Sequence, residues 1–200
     1  MRKLSLLAVI GSFLLVASFA SAQQADVFLG GGTLVSSAGY NTTTGNPPMK
    51  GGLYINLGGD VVFHNRFGVN VETAWRATQG VYVLNELNYR PILTDFNLLF
   101  QPKLGKKVGV DLLAGIGAGD TRFYTPGLSS AYSGYASTDH FMEHLGGGLR
   151  YYVWKHGVFV RPEIHYYHIQ GNSNPINNGY FSSNNVVRLG ASIGYTFGGD

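Results

Sequence analysis

The 200-residue chain carries 14 basic and 11 acidic residues, a formal net charge of +3, and no cysteine. Charged residues make up 12% of it, about half the ~25% of an ordinary soluble domain, while 29 glycines, 13 tyrosines and 12 phenylalanines stand out. Without cysteine the chain cannot rely on disulfides, so its stability comes from packing or from a membrane.

The first stretch, "MRKLSLLAVIGSFLLVASFASAQQ", places Arg2 and Lys3 before an apolar run from Leu4 to about Ala20, and ends in the small-x-small pattern Ala20-Ser21-Ala22. That order predicts a cleaved export signal over residues 1–22 rather than an anchor, because no basic stop-transfer flank follows. With no Cys at the cleavage site, a lipoprotein is excluded. Removal of the signal leaves twelve basic against eleven acidic residues. A nearly neutral mature chain has no electrostatic pull toward nucleic acid.

From residue 23 onward no apolar run is long enough for a spanning helix. Period-2 alternation instead recurs eight times, which predicts strands. Residues 26–35 put Val27, Leu29 and Val35 on one face. Residues 50–63 alternate Leu53, Ile55, Leu57 and Val61 with Tyr54, Asn56, Gly58 and Asp60. Residues 67–77 alternate Phe67, Val69, Val71, Thr73 and Trp75 with Asn70, Glu72 and Arg76 among others. Residues 90–101 set Ile92, Phe96, Leu98 and Phe100 against Asp95, Asn97 and Gln101, and residues 108–119 set Val110, Leu112 and Ile116 against Asp111 and glycines. The sixth strand, 141–153, sets Leu145, Leu149, Tyr151 and Val153 against His144, Gly146, Gly148 and Arg150. The seventh, "VFVRPEIHYYH" at 158–168, alternates Val158, Val160, Pro162, Ile164 and Tyr166 with Arg161, Glu163 and His165. The eighth, 186–197, alternates Val187, Leu189, Ile193, Tyr195 and Phe197 with Arg188, Ser192 and Thr196. Pro162 costs one ladder hydrogen bond, which predicts a bulge or strained position there.

Alternation alone also fits a soluble sandwich or barrel. Two observations separate these. From the second strand on, short connections ("HNR", "PKLGKK", "WKHG") alternate with long polar ones (78–88, 120–140, 169–185), and the first connection, 36–49, is long as well. That rim asymmetry belongs to transmembrane barrels. The polar face, moreover, carries ionised side chains, whereas a soluble barrel fills its interior with apolar ones. Polarity is inverted, and in lipid only a closed sheet satisfies every strand. The prediction is an all-β, eight-stranded antiparallel up-and-down transmembrane β-barrel over residues 23–200. Phe63, Phe67, Trp75, Tyr89, Tyr151, Trp154, Phe159, Tyr195 and Phe197 lie near strand ends, where interfacial girdles belong.

The last strand, "RLGASIGYTF", resembles the C-terminal signal by which outer-membrane proteins of Gram-negative bacteria are recognised for insertion, although "GGD" follows the terminal aromatic. Together with the export signal, "DFNLLFQPKLGKKVGVDLLAGIGAG" and "VFVRPEIHYY", the chain is similar to the small outer-membrane β-barrel domain family, the eight-stranded barrels of the OmpA, OmpX and OmpW kind. The resemblance spans residues 26–197. It implies both termini in the periplasm, an outer-membrane location after export, insertion by the barrel-assembly machinery through the last strand, and contact with outer-membrane lipid and lipopolysaccharide. It implies no single biochemical activity.

The strongest side-chain constellation is the predicted lumen set: Glu72, Arg76, Asp95, Asp111, Arg150, Arg161, Glu163, His165 and Arg188. Such groups can form a proton relay, an ion path or a hydrolytic site. An eight-stranded lumen is only wide enough to be filled by side chains, and four acids against four arginines favour mutual neutralisation. The set is therefore read as a structural ion-pair network, with no catalytic residue, cofactor or metal ligand assigned. "DHFMEH" (Asp139, His140, Glu143, His144) is the most metal-like cluster and is read as loop-to-strand polar residues. His165, His168 and Ser173 are the loose candidates for lipid A chemistry, and no motif supports them. The glycine-rich stretches "LGGGT", "AGIGAG" and "LGGGLR" leave room for bulky lumen side chains and are not phosphate loops. The expected function is structural or surface-interacting, through polar loops that offer an extracellular ligand a surface, in a monomer that is not an enzyme. A narrow porin-like channel for small or hydrophobic solutes is the alternative.

Overall fold

The computed structural model describes residues 24–43, 45–63, 66–82, 87–124, 135–153, 157–173 and 180–198. The predicted export signal and Trp154 lie outside these residues. The chain forms β1 (Gln24–Val35), β2 (Tyr54–Phe63), β3 (Phe67–Arg76), a short β4 (Gly80–Tyr82), β5 (Leu87–Phe100), β6 (Val108–Tyr124), β7 (Ala136–Tyr152), β8 (Val158–Ile169) and β9 (Asn185–Gly198). All pairings are antiparallel and run β3-β2-β1-β9-β8-β7-β6-β5, with β3 pairing back onto β5 to close the sheet. The short β4 continues β3 along β5 after a break. Trp75 faces Ile92 before it and Gly80 faces Tyr89 after it, so two extra residues are accommodated. The architecture is an eight-stranded up-and-down barrel, closed by the β3–β5 pairing, with the short β4 paired on β5 alone.

Closure fixes which side chains meet. Gln24 pairs with Gly198, so both described ends lie at one rim, the rim of the short connections. The long connections gather at the opposite rim. Outward positions are apolar and uncovered: Leu98 is 70% exposed, Leu145 59% and Ile193 56%. Phe67, Tyr151, Tyr195 and Phe197 face outward near the short-connection rim, with Tyr195 and Phe197 in edge contact at 4.8 Å. Tyr89 and Phe159, expected in that girdle, point inward and are buried. Both lie near strand ends, but they share the phase of the polar face.

The predicted bulge at Pro162 does not form. Gly148↔Glu163 and Tyr151↔Val160 keep one register on either side of a short gap in the β7–β8 ladder. The outward proline therefore withholds its one ladder donor without inserting a residue.

The interior has two storeys. Near the long-connection rim it is apolar: Leu34, Tyr54, Leu93, Met142, Tyr167, Ile169 and Val186 from the wall enclose Tyr82, Tyr89 and Phe123. Met49 and Phe181, from two long connections, drop into this cluster. Tyr82 OH donates to the Tyr180 carbonyl, and Ser182 N–H donates to the Pro47 carbonyl at 2.9 Å, which ties the two connections across the mouth. Below this plug the interior is polar.

The buried charge network of the lumen

The lower storey begins with β-strand phase. Period 2 sends Asp26, Asp60, Glu72, Asp95, Asp111, Arg150, Arg161, Glu163, His165 and Arg188 to the inside, where each is 6% exposed or less. Glycines on the same face make the space: a methyl on Gly148 would lie 2.7 Å from the Arg161 stem, and one on Gly146 would lie 2.9 Å from His165 Nδ1. Beside Gly58 and Gly194 lie the rings of Phe28 and Phe159. Those rings in turn stack on cations, with the Arg161 guanidinium 4.1 Å from the Phe28 centroid and Arg150 4.0 Å from Phe159.

Three arginines organise the carboxylates. Arg150 donates to Asp26, to Asp60 at 2.8 Å and to Asp111 at 2.9 Å. Arg161 donates to Glu163 at 2.9 Å and to Asp111 at 3.0 Å. Arg188 bridges Glu72 and Glu163, the latter at 3.2 Å. Amides complete the valences: Gln101 Nε2 donates to Asp111, Asn56 Nδ2 to Glu163 and Asn70 Nδ2 to Asp60, at 3.1, 3.1 and 2.6 Å. Charged groups withdrawn from water persist only with such partners.

The structure departs from the sequence reading in composition. Among the described residues six carboxylates are buried in the lumen (Asp26, Asp60, Glu72, Asp95, Asp111, Glu163) against three fully buried arginines. The expected four-to-four balance counted neither Asp26 nor Asp60. It did count Arg76, which is half-buried at the apolar storey, 5.2 Å from the Tyr89 ring centroid, and forms no ion pair with a described residue. Asp60 was already visible on the polar face of its strand. Asp26 carries the same signal, one position before Val27, at the very start of the first strand.

"DHFMEH" is divided by the alternation. Asp139 and Glu143 point outward, while His144 is 2% exposed inside. His144 Nε2 lies 2.9 Å from His165 Nδ1, the rings stack at 5.1 Å, and Tyr167 stacks next to them. His165 and His168 sit on opposite faces of β8, and His168 contacts Asn185 instead. The lipid A candidates do not converge. Glu72, Glu163 and His165 bring ligand atoms within 4.8 Å of one another. The Arg188 guanidinium bridges the two carboxylates, so a cation already stands in that gap.

No family model and no curated protein matches the sequence. Solved structures do. Ail of Yersinia pestis, in complex with the heparin analogue sucrose octasulfate, matches at 16% identity and TM-score 0.54, covering 87% of this chain and 98% of Ail. Neisserial surface protein A matches at 10% identity and TM-score 0.59, covering 87% and 96%. The outer membrane protein OprG of Pseudomonas aeruginosa matches at 14% identity and TM-score 0.54, covering 90% and 98%. At these identities the likeness concerns the fold, and the fold of this chain is that of the small eight-stranded outer-membrane β-barrels.

Proposed function

We propose that the chain is an integral outer-membrane barrel of a Gram-negative bacterium with a structural and surface-interacting role, and that it works as a monomer without catalysis or conduction. The observation that carries this reading is the interior: Arg150, Arg161 and Arg188 are at most 1% exposed and cross-link strands from opposite sides. The apolar plug of Tyr82, Phe123 and Phe181 closes the mouth above them. An apolar outer wall matches lipid, and the export signal over residues 1–22 supplies the route. The exposed aromatic end of β9 suits recognition by the barrel-assembly machinery. The long connections form the surface offered to lipopolysaccharide and to an extracellular ligand.

Membrane fractionation with gel mobility before and after boiling tests the placement: the protein should sediment with outer membranes and shift on heating. A soluble periplasmic protein without a shift overturns it. Purified barrel in planar bilayers should give no discrete openings. Openings abolished by Arg161→Ala would establish the narrow-channel alternative. Lipid A of overexpressing cells should keep its mass.

A further inference from the structure

We propose that the short-connection rim is a docking surface for anionic phospholipid headgroups, formed by Arg66, Lys103, Lys106 and Lys107 around the exposed Leu104. The inference rests on the membrane placement proposed above and adds to it a lipid preference at one rim.

Charge is unevenly shared between the two rims. Five described cations are exposed, and four of them, Arg66, Lys103, Lys106 and Lys107, lie in the short connections 64–66 and 101–107. Outside the lumen the described acids are Asp120, Asp139 and Glu143, all on the stretches of β6 and β7 that lead to the long connections. The acids nearest the four cations, Asp26, Asp60 and Asp111, are buried and held by Arg150. Backbone bonds fix where the cations stand. Gln101 N–H donates to the Arg66 carbonyl at 2.6 Å, which joins the two connections. Leu104 N–H and Gly105 N–H donate to the Val108 carbonyl at 2.9 and 3.2 Å, and Val110 N–H donates to the Pro102 carbonyl at 3.0 Å. The turn that carries the three lysines is thus a bonded extension of the β5–β6 hairpin. Tyr152 N–H donates to the Lys107 carbonyl at 2.9 Å and ties that turn to β7.

The neighbours of these cations say which anion they meet. Arg66 precedes Phe67, whose ring lies 4.9 Å from that of Phe100, and Lys107 precedes Val108, which pairs with Tyr151. Phe67 and Tyr151 are 64% and 47% exposed on the outer wall, as interfacial aromatics are. Cations one residue beyond that girdle stand at the height of lipid phosphates. Leu104 is 67% exposed between Lys103 and Lys106. An apolar tip flanked by lysines suits an interface, where the leucine reaches acyl chains and the lysine stems extend toward headgroups. A soluble polyanion has no use for Leu104 or for the aromatic border. A headgroup with net negative charge, such as phosphatidylglycerol, is the chemistry this rim fits, and a zwitterionic one gains less from it.

The experiment is electron spin resonance of the full-length barrel in phosphatidylcholine vesicles, with chain-labelled phosphatidylglycerol or phosphatidylcholine as the probe. Attraction of about fivefold per cation at adjoining lipid positions, averaged over the whole lipid shell, should leave phosphatidylglycerol preferred at least about twofold. The preference should vanish when Lys103→Gln, Lys106→Gln and Lys107→Gln are combined. It should vanish as well in about 1 M salt, where charges are screened beyond about 3 Å. Lys50→Gln with Arg90→Gln, near the opposite rim, should leave it intact. Equal association of the two lipids with the unaltered barrel overturns the surface, as does a preference that survives in the triple variant or disappears in the Lys50 and Arg90 variant. Loss of the preference on adding inorganic phosphate at constant ionic strength also overturns it, by assigning the cations to a free anion. Gel mobility before and after boiling separates two failures. A chain that does not enter the vesicles as a heat-modifiable barrel defeats the membrane placement and this surface together, whereas an inserted barrel without lipid preference defeats this surface alone.

Discussion

At the scale of the residue, the lumen arginines differ sharply in what their loss should do. Arg150 satisfies Asp26, Asp60 and Asp111 at once. Arg150→Met keeps much of the stem but leaves three buried carboxylates with Arg161 as the remaining cation within reach of Asp60 and Asp111. Removing one partner of a buried ion pair costs about 3–5 kcal/mol, and urea unfolding of the barrel in lipid vesicles should register a loss of that size. Arg76→Ala is the matched control. Its guanidinium is half-buried over Tyr89 and holds no described carboxylate. The expected cost is about 1 kcal/mol or less, the range of a partly exposed cation–π contact. Equal losses from the two variants would contradict the distinction drawn between network and rim. Strand phase put both arginines inside, and phase says nothing of depth. Depth follows from how the strands are staggered against one another, which is a property of pairing rather than of any single strand.

At the scale of the element, alternation was legible because lipid outside and ions inside leave no tolerance for a slipped register. Thus β8 needed no partner to be read: Val160, Ile164 and Tyr166 face out, Arg161, Glu163 and His165 face in. Where composition and phase disagree, the sequence misleads. Phe159 and Tyr89 are aromatic, like a girdle, but lie in the inward phase, and inward they serve as platforms for arginines. The short β4 and the folding of two long connections into the mouth were not legible either. Gly80–Tyr82 is too brief for periodicity, and Met49 and Phe181 are single apolar residues in polar stretches. Two substitutions probe these elements separately. Leu98→Arg places a charge on an outward position that is 70% exposed and two residues from the rim end of β5, so the expected cost lies below the about 2–4 kcal/mol of mid-bilayer depth. Phe181→Ala removes a ring packed against Tyr82 and Tyr89 at 6.2 and 5.5 Å. A Phe-to-Ala change in a packed core costs about 3–5 kcal/mol, but here much of the loss is local. Limited proteolysis should cut the two long connections faster, while gel mobility of the folded barrel stays unchanged.

At the scale of the whole molecule, the two storeys act as barriers in series, and that arrangement makes a prediction neither storey makes alone. An ion crossing the lumen from the long-connection rim meets the aromatic plug first, then guanidiniums that are buried and bonded to strands on every side. Eight strands enclose an interior that side chains fill, so emptying one storey leaves the other in the path. Tyr82→Ala with Phe181→Ala opens the mouth and should still give no discrete openings in planar bilayers. Arg150→Ala with Arg161→Ala clears part of the lower storey and should also stay silent, because the plug does not depend on it. Combining all four should produce small cation-selective openings, since the carboxylates left behind are in excess and line the path. A conducting mouth variant would show that the arginine storey is no barrier and would move the seal wholly to the plug. Silence of the combined variant, with the barrel still folded by gel mobility, would place a third constriction in the stacked layer of His144, His165 and Tyr167 between them.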